Sequence, residues 1–201
     1  MSRVVQSHRG RVGCVSVAWF IAFLVSVWIY VQDPEPGATH PVLFTTAGFA
    51  VYFWAYGGME MLLRLRDEEW WNGSDRRTEA QAWWLAGWLM FLVHVAAAFH
   101  IAHGWSHAAA YEHTERTAGV GEGIYVNYLF GLVWGADVVW FVGFPRSYAR
   151  RPRWVGWMVH GFLAFVTFNA TVVYGSGVAR WMGVVLFALM GWCWFRRTRS
   201  S

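Results

Sequence analysis

Apolar residues in this chain come in long runs rather than in strict alternation. The first run, about 12–31, reads VGCVSVAWFIAFLVSVWIYV and carries no charge. Five more follow at about 42–65, 83–107, 124–144, 154–174 and 178–195. Crossing the hydrocarbon core of a bilayer takes about 20 helical residues, so the pattern predicts six membrane helices. Pro34, Pro36, Pro41, Pro145 and Pro152 fall between the runs, where helix breakers belong. The first run follows a basic lead, as a signal peptide does. It is longer than the usual apolar core of one and no small-residue cleavage site follows it, so it is read as a retained helix. The expected fold class is all-α: a polytopic six-transmembrane-helix bundle, with residues 1–201 as a single integral membrane domain.

Charge orients the bundle. With the runs alternating in direction, Arg3, Arg9, Arg11, Arg64, Arg66, Arg76 and Arg77 share one side with Arg146, Arg150, Arg151, Arg153, Arg196, Arg197 and Arg199. Arg116 and Arg180 alone fall on the other, among the acidic Asp33, Glu35, Glu112, Glu115 and Glu122. Positive loops stay inside, which predicts cytoplasmic N- and C-termini in the cell's inner membrane. Composition agrees: 57% of the residues are hydrophobic and 14% charged, against about 25% charged in soluble domains. The net charge of +4 would otherwise suggest a nucleic-acid partner. The arginines border the apolar runs instead, so the expected partner is the bilayer, with no nucleic acid. Lysine is absent, which excludes a retinal Schiff base or a P-loop clamp. Cys14 and Cys193 have no neighbouring cysteine, so no disulfide framework or thiolate metal site is expected.

The candidate chemistry lies in FHIAHGWSHAAAYEH, residues 99–113, which holds His100, His103, His107 and His113. His94 precedes it. If one helix continued through this stretch, His100, His103 and His107 would share an arc of about 60° at 100° per residue. Imidazoles stacked on adjacent turns are what a metal site uses, and polar groups within a membrane default to function. His100, His103, His107 and His113 are therefore the expected ligands of a metal ion near the outer face. Glu122 or another residue of a neighbouring run would complete the site. A carboxylate would suit zinc or iron, and imidazoles alone would also suit copper. Asn127 and Asn169 are candidates for hydrogen bonds between helices.

A second polar set lies deeper. Glu60, Asp137, His160 and His94 would form a ladder from the cytoplasmic side, as proton relays do, or ion pairs that fix packing, with Arg64 and Arg66 as alternative partners of Glu60. His94 and His160 are also the pair that a haem b would use. Many tryptophans, Trp70, Trp71, Trp83, Trp84, Trp105, Trp154, Trp192 and Trp194 among them, stand near run ends and read as interfacial belts. The pattern matches no membrane histidine-box family: desaturases carry several boxes with paired His-His, and this chain has one box without the pair. The leading expectation is a metal-dependent membrane enzyme, an oxidoreductase before a hydrolase, acting on a lipid- or quinone-like substrate with Glu122 and Asp137 as catalytic carboxylates. A metal-ion or proton transporter and a haem-b electron-transfer subunit are the alternatives.

Overall fold

A computed structural model of the chain describes residues 20–32, 40–64 and 75–199, with backbone alone at 62–64, 197 and 198. The start of the first run, the 65–74 connection with Trp70 and Trp71, and the side chains of Arg64 and Arg66 lie outside the described residues. Among the described residues all regular structure is helical. The helices are α1 (Phe20–Gln32), α2 (Pro41–Arg64), α3 (Asp75–Ile101), α4 (His107–Ala118), α5 (Gly123–Gly143), α6 (Pro145–Ala149), α7 (Arg153–Phe168) and α8 (Gly177–Arg199), with a π turn at Asn169–Val173 extending α7. Five segments are long and apolar enough to cross a membrane: Pro41–Met61, Asp75–Ile101, Gly123–Gly143, Arg153–Val173 and Gly177–Arg196. A multi-pass membrane protein follows. α1 is apolar but shorter over its described part.

Local chemistry sets the helix ends. α2 opens on Pro41, whose missing N–H costs nothing at a first helical position. The preceding His40 turns its ring back so that Nδ1 accepts from the Val42 N–H at 3.2 Å, satisfying one of the orphan donors of the first turn. α3 does not run on through the histidine stretch as its spacing suggested. It stops at Ile101, and Gly104 and Trp105 adopt positive φ of 53° and 60°. A new helix starts at His107, with Ser106 as its N-cap: Oγ accepts from the Ala109 N–H at 3.2 Å. Gly119, at φ 77°, closes that helix in the left-handed conformation, its N–H bonding the Glu115 carbonyl. The predicted span 83–107 thus ends early, at Ile101, and its last residue, His107, begins a separately capped short helix.

The long helices form a closed ring. α2 packs on α3, α3 on α5, α5 on α7, the π turn on α8, and α8 back on α2. Glycines let the partners approach, as small residues do between membrane helices. A Cβ at Gly57 would lie 3.2 Å from Trp84, one at Gly87 2.8 Å from Trp134, and one at Gly135 2.8 Å from Trp88. Large rings from one helix therefore fill glycine notches in the next. Trp84 and Trp134 are 0% and 1% exposed. Trp84 is thus core rather than the interfacial belt its position suggested, whereas Trp105 and Trp154 are exposed. The ring closes where Trp54 of α2 meets Phe187 of α8 at 6.0 Å between centroids. α1 lies against α2, with Ser26 and Thr45 hydroxyls 3.0 Å apart.

Candidate functional site: a histidine-lined cavity

Polar groups gather at two levels of the ring. At the end bearing most of the arginines, Asp137 of α5 is buried. Its Oδ2 accepts from Trp84 Nε1 and from the Tyr148 hydroxyl, both at 3.0 Å. Its Oδ1 accepts from Arg151 Nη1 at 2.9 Å, with the two side chains only 5% and 2% exposed. Arg151 also approaches His160, Nη2 to Nε2 at 3.2 Å. A guanidinium can only donate, so Nε2 accepts and the ring proton is on Nδ1. The helical turn α6 makes this possible by folding Tyr148 and Arg151 back under α5. Burial, and then the Asp137 charge, push the Tyr148 phenol well above its ordinary value, so it remains a donor.

Of the residues expected to form a ladder, this cluster brings Asp137 and His160 together, and Arg151 joins them. His94 is not a member. Its Nδ1 is 3.1 Å from the Thr46 hydroxyl on α2, and it faces a different space from His160. The two histidines are therefore not set out as a pair for one cofactor. Asp137, expected as a catalytic carboxylate, is held by three donors instead.

The other level is open. A cavity of about 570 Å³ lies inside the ring at the end bearing the histidine stretch. Its walls come from Leu43 to Trp54 on α2, Phe91 to Phe99 on α3, Ala102 and His103 in the turn after it, Ile124 to Trp134 on α5, Val166 to Thr171 on α7 and the π turn, and Ala179 to Leu186 on α8. α4 adds Ala110, His113 and Thr114 across its mouth. The π turn shapes one wall. Such turns recur at functional sites, and here it brings Thr171 against Gly183, where a Cβ would lie 2.7 Å from the Thr171 hydroxyl. Asn169 bonds its own helix, Nδ2 to the Phe165 carbonyl at 2.8 Å, rather than a neighbouring one.

The break after Ile101 disperses the histidine stripe. His100 accepts from Trp105 Nε1 at 3.3 Å and packs on Tyr30. His107 Nδ1 lies 2.9 Å from the Tyr128 hydroxyl. His103 and His113 come together, ring centroids 5.3 Å apart, and both line the cavity. Burial is the main cause that lowers the His103 imidazole below its ordinary value, with the charges of His113 and Arg116 adding to it. Glu122 is exposed at the start of α5, outside the cavity lining, where it accepts from the Tyr111 hydroxyl at 2.9 Å. Its own backbone N–H, and then Tyr111, lower its carboxyl. Among the described residues no group of three His, Cys, Asp or Glu converges as a metal cage would require. Four expected ligands thus reduce to one adjacent pair, and the carboxylate expected to join them points elsewhere.

Sequence reasoning missed Arg151, Tyr148 and Trp84 as partners of Asp137. It counted Arg151 as one more loop arginine. The break at 102–106 did leave a signal, since Gly104 followed by Ser106 reads as a helix stop and a new N-cap. No protein-family model matches the chain, and neither the curated proteins nor the solved structures hold a significant match.

Proposed function

We propose that this is a six-span protein of the inner membrane, with both termini cytoplasmic, that binds a lipid- or quinone-like molecule inside its helix ring at the outer face. The cavity carries this reading. Its volume is within the range of small-molecule sites, about 300–1,000 Å³, and apolar walls with a few convergent polar groups are what such sites present. The arginine asymmetry supports the orientation, since the cavity is at the arginine-poor end. Organic extraction of protein purified in mild detergent, followed by mass spectrometry, tests it. About one equivalent of an apolar molecule is expected. It should be lost from an Ala47→Phe/Ala98→Phe variant, which fills the space from two walls. A folded protein that yields only stoichiometrically random bulk lipid, unchanged in that variant, removes the proposal.

One observation favours a second reading. His103 and His113 come from separate elements and meet at the cavity mouth, so two imidazoles would be available to one iron, copper or zinc ion beside an organic substrate. A metal-dependent oxidoreductase would use such a neighbourhood. Elemental analysis after a weak chelator wash decides: metal retained by the wild type and lost from His103→Ala and His113→Ala supports it.

A further inference from the structure

The walls of the cavity also constrain what it holds. We infer that its occupant is an uncharged, single-chain amphiphile with a carbonyl or hydroxyl head, the head lodged at His103, His113 and Asn127 and the tail running toward Trp54 and Trp134. This rests on the cavity being a binding site, and it adds charge, size and direction.

Charge comes first. No aspartate, glutamate or arginine is among the described residues that line the cavity, and the chain has no lysine. An ionised head drawn into an apolar space without a counter-charge is strongly disfavoured. Neither nearby arginine enters the lining, although the Arg116 charge reaches His103 at the mouth. Arg180 bonds the Gly175 and Val173 carbonyls, and Arg116 is exposed on α4 outside the lining.

Size comes next. About 570 Å³ falls mid-range among sites for drug-sized ligands, about 300–1,000 Å³ and on the order of twenty to thirty non-hydrogen atoms. A two-chain phospholipid exceeds that. Along α2 the wall from Leu43 to Trp54 extends about 16 Å at 1.5 Å per residue, close to half of a bilayer core of about 30 Å. One tail inserted from one leaflet fits this depth.

Direction follows from which polar groups are engaged. His94 is bonded to Thr46, Tyr128 to His107, Thr114 to the Ala110 carbonyl and Thr171 to the Thr167 carbonyl. Among the described residues no side-chain hydrogen bond engages His103, His113 or Asn127, and all three line the same end. An imidazole and a primary amide can each donate to a carbonyl or accept from a hydroxyl. The opposite end is floored by the rings of Trp54, Phe130 and Trp134, where Trp134 Nε1 is a buried donor without a hydrogen-bond partner among the described residues, against three convergent polar side chains at the histidine end.

The test uses the full chain in detergent with three probes: decylubiquinone (neutral head, one chain), palmitate (anionic head, one chain) and a two-chain phosphatidylglycerol. Binding is read by the shift in unfolding temperature and by equilibrium dialysis. Decylubiquinone should bind saturably at one per chain. His103→Phe and Asn127→Leu should each weaken it roughly threefold to tenfold, the loss expected for one hydrogen bond. The Ala47→Phe/Ala98→Phe variant should abolish binding. Preferred binding of palmitate or phosphatidylglycerol, abolished by the same filling variant, overturns the uncharged single-chain head and leaves the cavity reading standing. Binding of no probe, or binding that ignores the filling variant, overturns both.

Discussion

Two levels of the same ring bury polar side chains, and they do so in opposite ways. At the arginine-rich end, Asp137 has both oxygens engaged by Arg151, Trp84 and Tyr148, and Arg151 extends the network to His160. The surrounding rings of Trp84, Phe141 and Tyr148 leave Asp137 only 3% exposed. At the histidine-rich end, imidazoles from α3, the turn after it and α4 face a cavity, and two of them, His103 and His113, touch each other but make no side-chain hydrogen bond among the described residues. A polar group inside a membrane invites a functional reading by default. The comparison refines that rule. A buried group whose bonding capacity is consumed by neighbours is a packing element, and one that faces space with capacity to spare is where a ligand belongs.

The sharpest way to break the comparison is to open the saturated network. Removing one member of a buried ion pair costs about 3–5 kcal/mol because the other charge is left uncompensated. Asp137→Ala should therefore lose most of the protein's stability in denaturant unfolding, and the double variant Asp137→Leu/Arg151→Met should recover much of it. A single variant as stable as the wild type would mean that the network is not structural. The next effect is steric. Gly135 receives the Trp88 ring, with a Cβ already 2.8 Å from it, so Gly135→Leu should cost about 1–3 kcal/mol by overpacking. In the open half the same increase in size should be tolerated. Ala47 lines the cavity, and Ala47→Leu should change stability by no more than about 0.5 kcal/mol. Equal losses at the two positions would mean that the cavity is not empty space available to a ligand.

How much of this the sequence carries depends on the range of the interaction. The membrane helices are legible because burial in lipid is a local property of a run, and the runs at 42–65 and 124–144 coincide closely with α2 and α5. The histidine stripe was legible as composition and not as geometry. Its spacing assumed one continuous helix, whereas Gly104 and Trp105 turn the chain and Ser106 starts another. Turn chemistry defeated periodicity there, and it moved His107 from the stripe to Tyr128. The Asp137 network could not be read at all. Arg151 is 14 residues from Asp137 and resembles every other loop arginine, and only the fold of α6 brings it back. The glycine notches belong to the same class: Gly87 and Trp134 are far apart in sequence, and neither alone announces the other.

The smallest expected effect separates the two levels by pH. Burial, more than the charges of His113 and Arg116, lowers His103 from its ordinary 6.5. As pH falls through that value the unfolded chain takes up the proton first, and the folded chain does so only further down. The folded state thus binds fewer protons over that interval, and stability falls with falling pH there. The contribution of His103 is fully present above about pH 6.5 and is lost progressively below it. Other histidines add slopes of their own, so the informative quantity is the difference between the wild type and His103→Gln in thermal unfolding from neutral to acid pH. The variant should be flatter. Arg116→Ala should remove only a small share of the slope, because burial and then the His113 charge are the larger causes. An occupied cavity should deepen the slope, since a molecule against the His103 ring excludes more water from it. A His103→Gln profile as steep as the wild type's would mean that the imidazole is as well hydrated folded as unfolded, and the mouth of the cavity would then be solvent rather than site.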